Sequence, residues 1–236
     1  RMLPDGRAYI GGRFATLGGG ITFGQGGYEI YSLARILPDG SPDRTFANAR
    51  IEETVAPPPP QAFFPGIVRD LDIQADGRLL VVGEFTMVEG RFSRPRICRL
   101  TDTGDLDELF FVTLNQPAWT VRERSDGKIW VGGRFTTVNS NPQAGLVLLN
   151  ADGSVDGTFA NPLINVAINE IVVAVMPQSD GKVIAAGTFT QINSVSSKSI
   201  RRFNTDGSLD TGWDPGISTG VITAAAQDGT GRIYIG

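Results

Sequence analysis

Short apolar runs recur along the whole chain, and turn signals separate them. Runs such as Ile171 to Met176 and Lys182 to Ala186 are rich in valine, isoleucine and alanine and are too short for helices. Asp-Gly between two apolar runs is a strong β-hairpin signal, because glycine reaches the positive φ of a tight primed turn without steric cost. The pattern therefore predicts many short antiparallel strands joined by hairpins.

The turn signals belong to a repeat. A turn glycine followed by a basic or polar residue and an apolar run appears five times, and four copies continue into a further glycine and a phenylalanine. The turn glycines lie 71, 50, 54 and 50 residues apart. We expect the phenylalanines to be buried between neighbouring units and the later glycines to permit close packing. The turn glycines are Gly6, Gly77, Gly127, Gly181 and Gly231, and the later pairs are Gly12 and Phe14, Gly83 and Phe85, Gly133 and Phe135, and Gly187 and Phe189.

A second turn signature follows inside each unit. In the fourth unit it reads Arg-Phe-Asn-Thr-Asp-Gly-Ser-Leu-Asp from Arg202 to Asp210, with Trp213 three residues later. Two turns make two hairpins, and hence four strands, in a unit of about 50 residues. A solenoid is the main alternative, but its coils are shorter and carry fewer hairpins. The sequence therefore predicts an all-β fold, a β-propeller built from four-stranded antiparallel blades. We expect the four second strands to occupy equivalent, central places in successive blades. These strands are Ala8 to Gly12, Leu79 to Gly83, Ile129 to Gly133 and Val183 to Gly187.

The predicted domain organisation is a single propeller segment over residues 1–236. Its repeat units are approximately 1–66, 67–117, 118–168 and 169–219, with a partial unit at 220–236. A closed propeller needs four to eight whole blades, so four blades with an extra strand predict a segment of a longer blade array. Any export signal is expected outside this segment, because the chain opens without a charged-then-apolar leader.

The two signatures in combination resemble the delta-60 repeat family of bacterial β-propellers. The similarity covers essentially the whole chain, with Thr103 in place of a turn aspartate, Trp213 in place of a phenylalanine and two insertions in the first unit. The resemblance implies a propeller within a large exported or cell-surface bacterial protein. It implies no known molecular activity.

Composition narrows the function classes. A net charge of −4 and a pI of about 4.9 argue against nucleic acid or an anionic lipid surface as a partner. The sequence has no histidine, which removes the commonest general base and transition-metal ligand. Cys98 is the single cysteine and is expected to be a small buried residue on a strand. We therefore expect no cofactor, no metal, no membrane insertion and no catalytic residues.

One aspartate recurs after the second turn of every unit. A catalytic or calcium-binding ring is one interpretation, and a structural acceptor of turn or neighbouring-blade amides is the other. Recurrence in every unit favours structure, because an active site usually breaks symmetry. The nearby acidic group that includes Asp102, Asp105 and Glu108 lacks the spacing of a calcium loop. The recurrent residues are Asp43, Asp107, Asp156 and Asp210.

Three other features have ordinary interpretations beside functional ones. The glycine runs at 18–20 and 24–27 lack the Lys-Ser/Thr of a phosphate-binding loop and predict a flexible loop. The arginines at 91, 94, 96 and 99 are expected to pair with nearby acids rather than to form an anion or acidic-glycan site. The proline run at 57–60 predicts a stiff extended segment that ends in aromatic residues, which either tuck back onto a blade or form an exposed contact.

The two insertions of the first unit suggest a contact face. By strand parity both leave the blades at the end opposite the Asp-Gly turns, and loops carry function more often than the scaffold does. The leading hypothesis is a non-enzymatic extracellular module, structural or adhesive, that binds a protein or glycan partner through these loops. The alternatives are a carbohydrate-active propeller enzyme with paired carboxylates and an architectural subunit of a bacterial surface layer or fibre, in contact with further blades or copies of itself. The expected anchors are Phe23, Tyr28, Phe63 and Phe64.

Overall fold

Antiparallel β-sheets make up the regular structure of residues 1–14, 32–46, 50–54, 63–160, 162–166, 170–217 and 220–236, which the computed structural model describes. Two compact units, Arg1–Thr113 and Leu114–Gly236, each contain their own blades. Within the described ranges, no helix has the length and apolar character needed to cross a membrane.

In the first compact unit, the described residues form nine strands in three sheets. The sheets have the orders β1-β2, β5-β6-β9 and β4-β3-β7-β8. The strands are β1 (Ala8–Gly11), β2 (Leu33–Ile36), β3 (Ile51–Thr54), β4 (Phe63–Pro65), β5 (Ile67–Ile73), β6 (Leu79–Glu84), β7 (Met87–Val88), β8 (Phe92–Ser93) and β9 (Ile97–Leu100).

The second compact unit repeats the three-stranded sheet twice, as β10-β11-β14 and β15-β16-β19, and adds the pairs β12-β13, β17-β18 and β20-β21. The strands are β10 (Ala118–Glu123), β11 (Ile129–Gly133), β12 (Thr137–Val138), β13 (Asn141–Pro142), β14 (Leu146–Leu149), β15 (Val172–Pro177), β16 (Val183–Gly187), β17 (Gln191–Ile192), β18 (Val195–Ser196), β19 (Ile200–Phe203), β20 (Ala225–Gln227) and β21 (Ile233–Ile235).

The second strand of each blade is central, as the sequence predicts. Strands β6, β11 and β16 each lie between two antiparallel neighbours. Strand β1 pairs with β2 on one side, and its Ala8 is bridged to Met2 on the other. The prediction of one shared register for these four strands is confirmed.

The Asp-Gly turns are three-residue loops rather than the two-residue primed turns that the sequence suggests. Around Gly77, the amide of Gly77 donates to the carbonyl of Gln74, and the amide of Gln74 donates to the carbonyl of Arg78. Gly77 has a φ of 87°, whereas the φ of Asp76 is not positive. The loop is therefore a type I turn closed by a glycine in the left-handed region. Primed geometry occurs instead in the small β12-β13 hairpin, where Asn139 and Ser140 have φ of 49° and 66°.

The predicted fourth strand of each blade is reduced to a single bridged residue. Leu106 pairs only with Leu100, and the same isolated bridge recurs in the other blades. The chain bends away directly afterwards, because the side chain of Asp107 accepts a hydrogen bond from the amide of Leu109. The blades are therefore three-stranded ladders with a short fourth segment. The equivalent bridges are Ile36 to Pro42, Leu149 to Val155 and Phe203 to Leu209.

A glycine lies at or next to the end of the central strand in each described three-stranded sheet, opposite a bulge in the first strand. Gly133 pairs with Ala118, and the register then shifts before Thr120. A Cβ on Gly133 would lie 2.5 Å from the carbonyl oxygen of Pro117 and 2.7 Å from the Cα of Ala118. The glycine is thus required by close approach of the neighbouring backbone. Gly83 and Gly187 occupy the same place beside their own bulges.

The cores lie between successive blades. Phe85, Phe135 and Phe189 are fully buried, which confirms the expectation for these three phenylalanines. Phe14 is partly buried, which agrees with the expectation of a mostly buried ring. Cys98 is buried on β9, as predicted.

Candidate functional site: the ionic triads and the connection ends of the blades

The recurrent aspartate of each blade has two separate sets of partners. In the first blade, Oδ1 of Asp43 accepts hydrogen bonds from the amide and the hydroxyl of Thr45, at 2.9 and 2.7 Å. Its Oδ2 accepts from Nε of Arg35 at 2.7 Å and from Nη1 of Arg7 at 3.4 Å. Arg35 comes from β2, and Arg7 directly follows the first turn glycine. One carboxylate therefore ties both turns of the blade to the third strand.

We call this arrangement the ionic triad. It recurs in the second and fourth blades, with one cation after the first turn and an arginine on the third strand. In the second blade Asp107 accepts from Arg78 and Arg99, both at 2.9 Å, and in the fourth Asp210 accepts from Lys182 and Arg202, both at 2.8 Å. The third-strand arginine also lies over the aromatic residue that follows the aspartate. These stacked pairs are Arg35 over Phe46, Arg99 over Phe110 and Arg202 over Trp213.

The third blade departs from this pattern. Leu148 stands at the position of the third-strand arginine, so among the described residues Asp156 accepts a charged hydrogen bond from Lys128 but from no third-strand arginine. The aromatic stack is replaced by Trp130 against Phe159, with ring centroids 4.7 Å apart and an interplanar angle of 83°. A buried aromatic contact thus stands where the other blades use an arginine.

The triads keep their carboxylates ionised. Burial opposes ionisation of Asp43, but the hydrogen bonds from Thr45 and Arg35 outweigh it and hold its pKa well below the usual range. Asp107 shows the same balance, with Arg78 and Arg99 lowering its pKa against burial. A general acid needs a raised pKa, so neither carboxyl has the titration behaviour of a glycosidase acid.

Hydrogen bonding and ion pairing therefore account for all four recurrent aspartates. The sequence correctly anticipated that these carboxylates accept hydrogen bonds from backbone amides of the turns. It missed the cationic partners, although a basic residue after the first turn glycine is visible in each of the four units, and an arginine eight residues before the aspartate is visible in three of them. Among the described residues, no group of three or more acidic or cysteine side chains could hold a metal ion, and this includes the acidic group at 102–108.

The arginine cluster behaves as predicted, with one exception. Arg91 pairs with Glu89 at 2.8 Å and Arg96 with Glu53 at 3.1 Å, and Arg99 belongs to a triad. Arg94 is buried and donates to the backbone carbonyls of Ser93 and Glu108 instead of to a carboxylate. Its guanidinium lies over Phe111.

The ends of the blades opposite the Asp-Gly turns carry the connections. Between the first two blades, β3 and β4 form a hairpin, and β3 also pairs with β7 of the β7-β8 hairpin. We call this four-stranded sheet the connection sheet. In the second compact unit, the blade-to-blade connection and the small hairpin meet through one bridged residue pair at each place. These pairs are Leu114 with Val138 and Ile164 with Ile192. Blade-to-blade and second-to-third connections therefore meet at one end of the blade, as strand parity predicts.

The predicted anchors are only partly located. Residues 63–65, expected to belong to a loop, form strand β4 instead, because β3 offers them an antiparallel partner. Phe64 faces Glu53 across the hairpin and is 46% exposed. Phe23 and Tyr28 lie outside the described residues, as do the glycine runs and the proline run. Phe63 and Phe64 thus lie on the connection sheet, at its β4 edge.

The repeated turn-and-aspartate unit agrees with a known family. The family model for a β-propeller domain of unknown function, DUF5122, matches residues 3–46, 74–110, 124–159 and 178–212, which is more than half of the chain. The chain belongs to this β-propeller family. Each match begins just before a first Asp-Gly turn and ends at or next to the aromatic residue stacked after the triad aspartate, so the family is defined by the features that build the blade. No curated protein matches the chain.

Proposed function

We propose that this chain is a non-enzymatic extracellular β-propeller module that acts as a structural or adhesive scaffold. Its proposed partner, a protein or glycan, binds at the connection ends of the first blades. The observation that carries the proposal is the repetition of the ionic triad in the first, second and fourth blades, together with the pairing of Asp156 and Lys128 in the third, because the recurrent carboxylates are all used for stabilising contacts. Extracellular location is supported by the resemblance to exported bacterial propellers.

The connection sheet supports the position of the contact face. Strand β4 is an edge of that sheet, and Phe64 presents a large apolar surface there, 46% exposed. Exposed aromatic side chains on a rigid strand are effective contact residues, because few rotamers are lost on binding. The described strands that flank the two insertions end or begin on this side, at Gly11, Leu33 and Thr54. An exposed sheet edge favours a protein partner.

Site-specific photo-crosslinking tests the contact face. A photoreactive amino acid is placed at position 64 in the protein expressed in its own bacterium, and at position 109 as the matched control. Leu109 is 91% exposed and lies three residues after the bridged Leu106, outside the strands of the connection sheet. We expect a crosslinked partner from position 64 and none from position 109. Crosslinking from position 109 alone would place the contact outside the connection sheet.

Quantitative binding then tests the anchors. With the crosslinked partner in hand, Phe64→Ser is expected to weaken binding at least about tenfold, as truncation of a contact aromatic does, and Leu109→Ser is expected to leave it unchanged. Phe23→Ser and Tyr28→Ser test the two remaining anchors in the same assay. Hydrolysis of a panel of polysaccharides, followed as reducing ends, is expected to stay at the buffer rate. Turnover that is lost in a carboxylate variant with unchanged stability would overturn the non-enzymatic proposal.

A further inference from the structure

A cleft of about 500 Å³ lies at the Asp-Gly turn ends of the third and fourth blades, inside the second compact unit. The first turn of the third blade contributes Arg124, Ser125 and Asp126 to its wall. The first turn of the fourth blade contributes Ser179. A cleft of this size is large enough for a small organic ligand. It lies at the opposite end of the strands from the connections, so it is separate from the contact face proposed above.

Polar groups dominate the lining, and several of them are available to a ligand. Ser125, Ser179 and Thr205 are exposed, and their hydroxyls hydrogen-bond to no other described residue. Each hydroxyl can both donate and accept. No aromatic or large aliphatic side chain is among the described residues that line the cleft. The site therefore suits a ligand that is itself rich in hydroxyl groups.

Arg124 and Asp126 form a fixed donor–acceptor pair in the wall. Nε of Arg124 donates to Oδ1 of Asp126 at 2.8 Å, and Nη2 donates to Oδ2. The hydrogen bond from Arg124 lowers the pKa of Asp126 to about 2, so the carboxylate stays ionised at neutral pH. Such a pair presents acceptor lone pairs beside N–H donors, which matches two adjacent hydroxyl groups of a sugar.

Charge excludes the competing ligand classes. Arg124 contributes one positive charge, whereas Asp126 and Asp206 contribute two negative charges, so the lining carries one net negative charge. An anion such as phosphate is repelled by this balance, and Arg124 is already neutralised by Asp126. Two carboxylates are too few for a dedicated cation site, and no metal-holding group occurs among the described residues.

Asp126 and Asp206 are turn aspartates of the repeat, but Arg124, which also makes the cleft polar, is not a repeated residue. Arg124 corresponds to Leu3 in the first blade and to Gln74 and Gln178 in the second and fourth. The structural triads recur from blade to blade, but this arginine does not. A departure from the repeat at an exposed cleft points to a use other than folding. We propose that this cleft binds a neutral sugar through a vicinal diol, held by Arg124 and Asp126 and by the surrounding hydroxyls.

Two-dimensional NMR of the ¹⁵N-labelled chain tests the proposal. The probes are D-mannose, D-galactose and L-fucose at millimolar concentration, with sodium phosphate and calcium chloride as separate arms. We expect at least one sugar to shift the amide resonances of Ser125, Gly127, Ser179 and Gly181, and the shifts to saturate with sugar concentration. Phosphate and calcium are expected to leave these resonances unchanged. Shifts with phosphate or calcium alone, or no shift with any sugar, would overturn the proposal.

Matched variants locate the binding groups. Asp126→Asn is expected to weaken sugar binding at least about tenfold, the loss expected for one hydrogen bond to a charged group. Asp76→Asn changes the same turn position in the second blade, away from the cleft, and is expected to leave the affinity unchanged. Thr205→Val, at an exposed position, serves as a second variant if Asp126→Asn disturbs folding. Equal losses in Asp126→Asn and Asp76→Asn, or full affinity in both cleft variants, would contradict the assignment. Because the cleft and the connection sheet are tested with different residues, either proposal can fail alone.

Discussion

The indole ring of Trp130 meets the ring of Phe159 edge to face, with centroids 4.7 Å apart, in the one blade where Leu148 replaces the third-strand arginine. Both rings are buried and belong to the core cluster that spans the third and fourth blades. We expect Phe159→Ala to lower the free energy of unfolding by about 3–5 kcal/mol, because it leaves a cavity against Trp130. Urea denaturation followed by tryptophan fluorescence measures the loss. Leu163→Ala, at a 52% exposed position, is the control and is expected to change stability by less than about 0.5 kcal/mol.

Truncation of the repeated phenylalanines is expected to reduce stability more at the fully buried positions than at the half-buried one. Phe135→Ala removes a fully buried ring and is expected to cost about 3–5 kcal/mol in the free energy of unfolding. Phe14→Ala is expected to cost clearly less, since Phe14 keeps part of its surface in solvent. Thermal and urea midpoints of the two variants provide the comparison. An unchanged midpoint for Phe135→Ala would show that the stability of the fold does not depend on burial of this ring.

The bulge glycine should not tolerate a side chain. Gly133→Ala places a Cβ within 2.5 Å of the Pro117 carbonyl oxygen, and the obstacle is backbone rather than a flexible side chain. We expect a loss of about 1–3 kcal/mol or more in the free energy of unfolding. Gly157→Ala in the same blade is the control, because nothing lies within 4 Å of its Cβ and its φ is not positive. Equal midpoints for the two variants would argue against close approach as the reason for the glycine.

Acid should weaken the fold through the recurrent aspartates. The pKa of the Asp156 carboxyl lies below its ordinary value of 3.8, because burial is outweighed by the hydrogen bonds from Lys128 and Thr158. A carboxyl with a lowered pKa in the folded state contributes stability above its unfolded pKa and loses that contribution as the pH falls. We therefore expect the urea midpoint to be flat from about pH 5 to 8, where the chain has no histidine to titrate, and to drop below about pH 4.

The charge-removing variant Asp156→Asn checks the assignment of this acid effect. It is expected to be less stable at neutral pH and to show a smaller loss between about pH 4 and 2 than the unmodified chain. Asp152→Asn, at an exposed place in the preceding turn, controls for removal of a surface charge. A urea midpoint that rises on acidification would contradict the structural role of the recurrent aspartates.

Cys98 is expected to be unreactive in the folded protein. Its thiol is fully buried on β9, and burial raises the pKa of Cys98, so little thiolate is present at neutral pH. A chromogenic disulfide reagent should report no thiol in native buffer and one thiol per chain in concentrated urea. Rapid reaction under native conditions would indicate that the β6-β9 pair opens frequently.

The local features of the blade could be predicted from the sequence. Asp-Gly turns, alternating apolar runs and a repeat of about 50 residues depend on short-range geometry, and they were sufficient for the propeller class and the central strands. The predicted type of the Asp-Gly turn was wrong. Asp-Gly fits both a type I turn closed by a left-handed glycine and a primed two-residue turn, so these two residues do not distinguish between the two types. The small β12-β13 hairpin was missed, although Asn139 and Ser140 tolerate the positive φ that both adopt.

Tertiary structure decided which distant groups meet. Arg7 and Asp43 are 36 residues apart, and only the packing of the two turns in one blade brings them into a single ion pair. The polar cleft likewise forms where the turns of two blades approach each other, so none of its residues signals a site alone. The placement of Phe64 on a strand, rather than in a loop, depended on the partner that β3 offers it. Turn chemistry and hydrophobic alternation act over a few residues and can be read from sequence, whereas ion pairs, clefts and strand partners depend on contacts that exist only after the blades have packed.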